Sequence, residues 1–330
     1  MGYLKKLMIG CWLLLPLTML LAAAPTAHRE GTAASVPTHS RSTAVHATDK
    51  AAPDSHTGEH HGLPLVAPRL QDSFISNSML VTWVVALLVI FFAQRATRQM
   101  KAIPDGAQNF WEWMVESLHD LLESIIGPKM IQKSFWFFAT IFIFILSCNW
   151  LGLLPGFGTI GWGHATEHGF QVTTPLLRGG NADLNMTLAM ALLFFALWLV
   201  WSIQENGMVG FILHIFGPKG DMKGVLGFLM IFVFLFVGVL ELVSIMFRPV
   251  SLTFRLFGNI YGGENMLEAM SNLIGGPAWA QFLGSSLIPI PFYFLEVLVG
   301  FVQALVFMLL TAVFTMLMCT HEEGHEKGSH

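Results

Sequence analysis

The sequence contains few charged residues. Asp, Glu, Lys and Arg make up 12% of its 330 residues, about half of the roughly 25% typical of a soluble domain, whereas 54% of the residues are hydrophobic. Too few polar groups are present to cover a water-soluble particle, so most of the exterior is expected to face lipid. This composition excludes a cytosolic enzyme.

Three further absences narrow the function. The only cysteines are Cys11, Cys148 and Cys319, which lie too far apart in the sequence for a CxxC metal site and provide no disulfide framework. The formal net charge of −4 and the scattered cations exclude a nucleic-acid partner. The chain also lacks a phosphate-binding loop of the form GxxxxGKS or GxxxxGKT. We therefore expect no cofactor, no metal and no nucleotide chemistry in this chain.

The N-terminal part resembles an exported leader followed by a linker. Lys5 and Lys6 precede an apolar run and three alanines, which predicts a signal peptide over residues 1–27, with an uncleaved signal anchor as the alternative. Residues 28–72 are rich in Ala, Thr, Ser, Pro and His, which predicts a flexible extracytoplasmic segment. The spacing of its histidines matches no defined metal site, so we interpret them as part of a solvated linker.

Five apolar segments follow, each long enough to cross the roughly 30 Å hydrocarbon layer. They predict an all-α, polytopic membrane domain over residues 73–320, in which the last two segments form a long tilted hairpin because they exceed a simple crossing. The segments are residues 78–94, 135–154, 184–203, 224–272 and 288–317. Residues 109–126 are amphipathic, with Phe110, Met114, Leu118 and Leu121 on the apolar face, and are expected to lie along the membrane surface.

The distribution of cations predicts the orientation in the membrane. Arg95, Arg98 and Lys101 directly follow the first span, so that end is expected to be cytoplasmic. The loop of residues 156–183 has a single cation, Arg178, as expected of an outer loop. The mature N-terminus is then outside the cytoplasm, and residues 321–330 form a cytoplasmic tail.

Six charges interrupt the apolar segments: Glu241, Arg248, Arg255, Glu264, Glu268 and Glu296. The first three are seven residues apart, so they fall on one side of a helix with about 20° of drift per step, and they are joined there by Ser244, Ser251 and Asn259. One charge at the bilayer centre costs at least about 2.5 kcal/mol. The polar stripe is therefore expected to face a partner or water.

Arg255 is the most informative of these charges. Its guanidinium stays protonated at physiological pH, so it can attract a carboxylate of a partner subunit and repel free cations. The alternatives are an internal ion pair with Glu264 or a side chain that extends to the membrane interface.

The other polar residues form candidate relay positions. Glu264 and Glu296 are flanked by apolar residues and are candidates for proton transfer, and Gln303 lies seven residues beyond Glu296. The alternative is an interhelical brace in which these carboxyls bond the amides of Asn259 and Gln303. Residues with weaker signals are Glu268 near a helix end and the outer residues Asn149, His168 and Asp183, for which a loop or capping role is favoured.

The segment PVSLTFRLFGNIYGGE, residues 249–264, closely resembles the signature of subunit a of the F-type ATP synthase. Further segments resemble that family in the same order, and the resemblance extends from residue 72 to the C-terminus: NSMLVTW at 77–83, NWLGLLP at 149–155, DLNMT at 183–187 and QALVFM at 303–308.

The resemblance implies a stator subunit, itself no enzyme, with a ring of c subunits and the b subunits of the peripheral stalk as partners. It implies that Arg255 faces the ring carboxylates and separates two aqueous half-channels. Residues on the outer route would be Asn259, Glu264, Glu296 and Gln303, and residues toward the cytoplasm Glu241, Ser244, Arg248 and Ser251. Some family members have His where this chain has Glu296. The expected ion is H⁺, with Na⁺ as the alternative, and the expected location is the bacterial inner membrane.

Two other functions are consistent with the composition. One is a self-contained secondary transporter in which Arg255 binds an anionic substrate, although the sequence has no inverted repeat. The other is a structural scaffold, which would leave the polar stripe unexplained.

Overall fold

A computed structural model describes residues 76–154, 161–166, 169–175, 177–217, 225–271, 273 and 278–319. The predicted signal peptide, the histidine-rich segment, the C-terminal tail and His168 lie outside the described residues.

The described part of the chain is mainly helical. Its helices are α1 Asn77–Thr97, α2 Gly106–Gly152, α3 Leu184–Phe216, α4 Val225–Ser271, α5 Ala278–Leu287 and α6 Pro289–Cys319. Five stretches among these residues are long and apolar enough to cross a membrane, which confirms the predicted polytopic helical fold. The predicted final hairpin corresponds to α4 and α6, which pack against each other, with the short α5 between them.

A short antiparallel hairpin adds to the helical framework between α2 and α3. Strand β1, Gly161–Thr166, pairs with strand β2, Gly169–Pro175, and the pairing contains an irregularity between Trp162 and Gly163. The hairpin lies in the loop of residues 156–183, which was predicted to be outside the cytoplasm. A 3₁₀ turn, Gly180–Ala182, then leads into α3 and packs against α1, α2, α3 and α4.

Two glycines with positive φ divide the long helices. Gly127 has φ 78° and precedes Pro128, which lacks an amide hydrogen, so α2 consists of residues 106–126 and 128–152. Gly207 has φ 68° and divides α3 into residues 184–206 and 208–216. The predicted surface helix therefore exists as the first half of α2, and a break separates it from the spanning half.

The buried face of that first half differs from the predicted one. Trp111, Val115 and Leu122 pack inward together with Leu118, whereas Phe110 is exposed. The face that packs on the protein is therefore shifted by about one residue from the apolar face named from the sequence, because this half of α2 has apolar residues on two sides. One side packs on the protein and the other remains at the surface.

Aromatic side chains fill the core between α2, α3 and α6. The rings of Phe137 and Phe194 stack with centroids 6.3 Å apart, and the Trp198 indole donates a hydrogen bond to the Phe314 carbonyl over 3.1 Å. In contrast, α4 exposes large apolar side chains, including Phe236, Phe247 and Phe254, along much of its length. Helix α4 thus lies at the edge of the helical assembly, where one side is open.

Candidate functional site

Arg255 lies on the open side of α4. Its side chain is exposed, as are those of Ser244 and Ser251 on the same helix. Within the described part of the chain, Arg255 forms no hydrogen bond and no ion pair. Glu264 is nine residues further along, which places it on the opposite side of the helix. The alternative in which Arg255 and Glu264 form an internal pair is therefore not observed.

Arg248, in contrast, faces the core. Its Nη2 lies 3.3 Å from Glu241 Oε1, and its guanidinium sits 4.7 Å from the ring centroid of Phe314 and 5.6 Å from that of Trp198. The predicted stripe is thus divided between two environments. Helical drift of about 20° does not separate the two residues; the difference lies in their neighbours, because the aromatic rings of Trp198 and Phe314 attract the Arg248 guanidinium.

A second polar cluster lies between α4 and α6. Asn259 Nδ2 donates a hydrogen bond to Gln303 Oε1 over 2.7 Å, and Gln303 is 4% exposed. Glu296, two turns before Gln303 on the same side of α6, is 5% exposed, and its carboxyl lies against α4 beside Glu264. The alternative brace between a carboxyl and an amide is not observed among the described residues, where the two amides bond each other instead.

The carboxyl of Glu296 packs directly against the backbone of α4 at Gly263. A Cβ atom at this position would overlap all three atoms of that carboxyl group. The adjacent Gly262 has open space where its Cβ would be. Gly263 is therefore required for the close approach of the Glu296 carboxyl to α4.

Arg178 is a member of this cluster that the sequence did not indicate. Its Nε lies 3.5 Å from Glu264 Oε2, and the residue is only 3% exposed. From the sequence, Arg178 was expected only as a cation of the outer loop of residues 156–183. In the structure, the segment that carries Arg178 enters the protein and packs against α4.

Two glycines, Gly152 on α2 and Gly180 after Arg178, explain how this segment enters. A Cβ on Gly152 would lie 3.1 Å from the Gly179 Cα, and a Cβ on Gly180 would lie 2.6 Å from Thr82 Oγ1. The absence of a side chain at these two positions allows the segment to pass close to α1 and α2. The pattern RGGN, a lone cation before two glycines, is the signal that sequence reasoning could have used.

The outer residues Asn149 and Asp183 have structural partners. Asn149 Nδ2 donates to the Gly300 carbonyl over 2.8 Å, and its Oδ1 accepts from Asn181 Nδ2 over 2.6 Å. Asp183 caps α3 by accepting from the Asn185 amide over 3.0 Å, and it also accepts from Ser78 Oγ over 2.5 Å. The contacts of Asp183 agree with the favoured capping role, whereas Asn149 lies within α2 and joins this helix to α6 and to the 3₁₀ turn. Glu268 is exposed on α4.

One group of side chains among the described residues has the composition of a metal site. Ligand atoms of His119, Asp120 and Glu123 lie within 4.8 Å of one another on the first half of α2. The His119 ring also packs against Phe135, with centroids 5.2 Å apart. The cluster is largely at the surface and lies far along the chain from the polar residues of α4 and α6.

Comparison with known proteins decides the family. The family model described as ATP synthase A chain matches residues 79–316. The chain belongs to the ATP synthase subunit a family. It is 33% identical over 250 residues to ATP synthase subunit a 1 of Pelobacter propionicus, covering 76% of this chain and 90% of that protein.

Two further subunit a proteins show the same relationship. ATP synthase subunit a of Trichlorobacter lovleyi is 34% identical over 251 residues, covering 76% of this chain and 89% of that protein. The Geobacter sulfurreducens protein of the same name is 31% identical over 250 residues, covering 76% and 90%.

Membership in the subunit a family fixes the general role. The chain is a non-catalytic, proton-translocating subunit of the ATP synthase membrane sector, and it is a multi-pass membrane protein. This favours ion translocation over the two alternatives, a self-contained transporter and a structural scaffold.

Proposed function

We propose that this chain is the stator that passes protons, through two half-channels, to and from the carboxylates of a rotating ring of c subunits. The exposed position of Arg255 is the observation that carries the proposal. A permanent cation on an apolar helix face is costly in lipid, so it requires a partner of opposite charge. The described part of this chain supplies none, which leaves the partner to another subunit.

The surroundings of Arg255 support a close helical partner. Gly258 and Gly262 are exposed, and nothing lies within 4 Å of where their Cβ atoms would be. Small residues allow the backbones of two membrane helices to approach closely. A ring helix packed there would bring its carboxylate to the Arg255 guanidinium.

The buried cluster between α4 and α6 is the proposed outer route. Glu264 and Glu296 exchange the proton, and the bonded amides of Asn259 and Gln303 hold the two helices together beside them. Glu264 lies on the side of α4 away from Arg255, and the Glu296 carboxyl meets α4 at the neighbouring Gly263. A proton delivered here reaches the ring before the ring site meets the cation.

The polar residues earlier on α4 are the proposed cytoplasmic route. Ser244 and Ser251 are exposed on the side of Arg255, whereas Glu241 and Arg248 form an inward ion pair beside them. Hydroxyl groups can donate and accept hydrogen bonds and so support water in a half-channel.

The charge of each ring carboxylate sets the order of the steps in the cycle. A ring carboxylate that leaves Arg255 takes up a proton from the outer route, and the neutral acid can turn through lipid because it avoids the cost of a buried anion. After nearly a full turn it releases the proton to the cytoplasmic route and pairs with Arg255 again. Each proton that crosses supplies about 2.3 kcal/mol per 100 mV of membrane potential.

The remaining assignments are proposals on the same basis. The b subunits of a peripheral stalk hold the chain against the ring, and H⁺ is the transported ion. The protein resides in a bacterial inner membrane with its mature N-terminus outside and its C-terminus in the cytoplasm, as the cations after α1 predict.

Arg255→Ala in the intact complex tests the proposal. ATP-driven proton pumping into inverted membrane vesicles should be lost, while the amount of assembled complex stays unchanged. Arg98→Ala is the matched control, because Arg98 is an exposed cation just after α1. Normal pumping by assembled Arg255→Ala complexes would contradict the proposal.

A further inference from the structure

A buried cation, Arg178, faces the two carboxyls of the proposed outer route. Its Nε lies 3.5 Å from Glu264 Oε2, and the Glu296 carboxyl packs against α4 at Gly263, the residue before Glu264, across the interface between α4 and α6. The three groups come from three different parts of the chain: the segment before α3, α4 and α6. We call them the charged triad.

We propose that Arg178 is a positioning residue for proton uptake, which holds the Glu264 carboxylate in place and keeps one carboxylate of the triad open to a proton. The inference rests on the proposed function, because it assigns a role within the same outer route.

Counting charges shows why a fixed cation matters. Two ionised carboxyls with no cation would give the site a charge of −2; Glu296 is 5% exposed and the Glu264 side chain 32%, and uncompensated charge away from water is strongly unfavourable. Such a site reaches neutrality only by holding a proton on both carboxyls, which leaves no acceptor. With Arg178 present, the neutral triad contains one carboxylate and one protonated carboxyl. A proton can then enter at one carboxyl as another leaves.

The residue type suits this task. A guanidinium stays protonated even when it is desolvated, so its charge does not depend on the protons that pass through the site. Its planar donors also orient a carboxylate more strictly than an ammonium does. Burial between the helices and the Gly179–Gly180 segment leaves Arg178 little freedom to follow Glu264 elsewhere.

Among the described residues, three other charged side chains on or near these elements have different surroundings. Glu268 interacts with Glu264 along α4, but its side chain is exposed. Asp183, five residues after Arg178, accepts hydrogen bonds from Ser78 and from the Asn185 amide. Arg255 lies on the other side of α4. The cation that faces the outer-route carboxyls is therefore Arg178.

Four variants of the intact complex test this role: Arg178→Gln, Arg178→Lys, Glu264→Gln and the double variant Arg178→Gln with Glu264→Gln. The measurement is passive proton conductance of inverted vesicles after removal of the peripheral catalytic sector, normalised to the amount of this subunit in the membrane. ATP-driven pumping is measured on the same preparations before that removal.

We expect Arg178→Gln to lower the conductance about tenfold or more, less than the roughly 100-fold or greater effect of losing the proton-transfer group itself, because Arg178 only positions that group. Arg178→Lys should recover most of the conductance because it keeps the charge. The double variant should conduct no less than Glu264→Gln alone, because Arg178 acts through Glu264.

Three results would overturn the inference. These are parental conductance in Arg178→Gln, a Lys variant that assembles but conducts as poorly as the Gln variant, and a double variant whose loss is the product of the two single losses. If Arg178→Gln does not assemble, Arg178→Lys still decides: it should conduct close to the parental rate, and an assembled Lys variant that conducts as poorly as Glu264→Gln would overturn the inference. Parental conductance in Glu264→Gln would instead reject the proposed outer route itself, so the two failures are distinguishable.

Discussion

Gly263→Ala tests the geometry of the outer route most sharply. The added methyl group would occupy the position of the Glu296 carboxyl, so that carboxyl must move by about 1 Å or more. Alanine favours the helix by about 1 kcal/mol over glycine, and overpacking costs about 1–3 kcal/mol. The net cost is about 0–2 kcal/mol, and the clash is with the end of a flexible side chain, so the variant should still assemble. A displacement of about 1 Å in a reacting group can slow a reaction about 100-fold.

The assay is passive proton conductance of inverted vesicles, normalised to the amount of the subunit. We expect Gly263→Ala to conduct roughly 10- to 100-fold more slowly than the parent. Gly210→Ala is the matched control, because it makes the same helical change where the new Cβ would lie 3.4 Å from the Asn206 Cβ, an ordinary contact. Its conductance should remain parental.

A second substitution separates displacement of Glu296 from general damage. Glu296→Asp shortens the side chain by one methylene, so in the Gly263→Ala background it makes room for the new methyl group. The double variant should conduct faster than Gly263→Ala alone. Parental conductance in assembled Gly263→Ala, or no gain in the double variant, would refute the assigned position of the carboxyl.

The remaining predictions concern the polar contacts that hold the helices. Asp183→Ala removes the α3 cap and leaves the Ser78 hydroxyl without its Asp183 acceptor. It should destabilise the protein by about 1–2 kcal/mol, measured as a lower thermal midpoint in detergent. An unchanged midpoint would contradict the capping role. Asn259→Leu and Gln303→Leu should each destabilise the protein by about 1–3 kcal/mol, since each leaves the other amide unpaired. The double variant should cost less than the sum of the two, and strict additivity of the midpoints would show that the amides are not coupled.

The helices could be predicted from the sequence because their signal is local. Long uncharged runs mark the spans, and the spans in the structure begin and end within a few residues of several predicted limits. The exposed Arg255 was also expected, since a permanent charge in an apolar segment requires a partner. These inferences depend on one segment at a time.

The partners of the polar residues could not be predicted in the same way. Arg178 and Glu264 are far apart in the sequence, and their contact depends on how the Gly179–Gly180 segment packs between helices. Arg248 and Arg255 have the same spacing pattern, yet one faces aromatic rings and the other is exposed. Helical periodicity gives the relative angle between residues but not the neighbours that each residue meets.

The most direct test of the stator proposal is disulfide cross-linking between α4 and the ring. In a background without native cysteines, Ser251→Cys is paired with a cysteine placed beside the membrane carboxylate of the c subunit and then oxidised in intact membranes. Leu252→Cys is the control, because Leu252 is 3% exposed and faces the chain's own core. The account predicts a cross-linked product with Ser251→Cys and little with Leu252→Cys. No product at Ser251→Cys in assembled complexes, or a preference for Leu252→Cys, would contradict it.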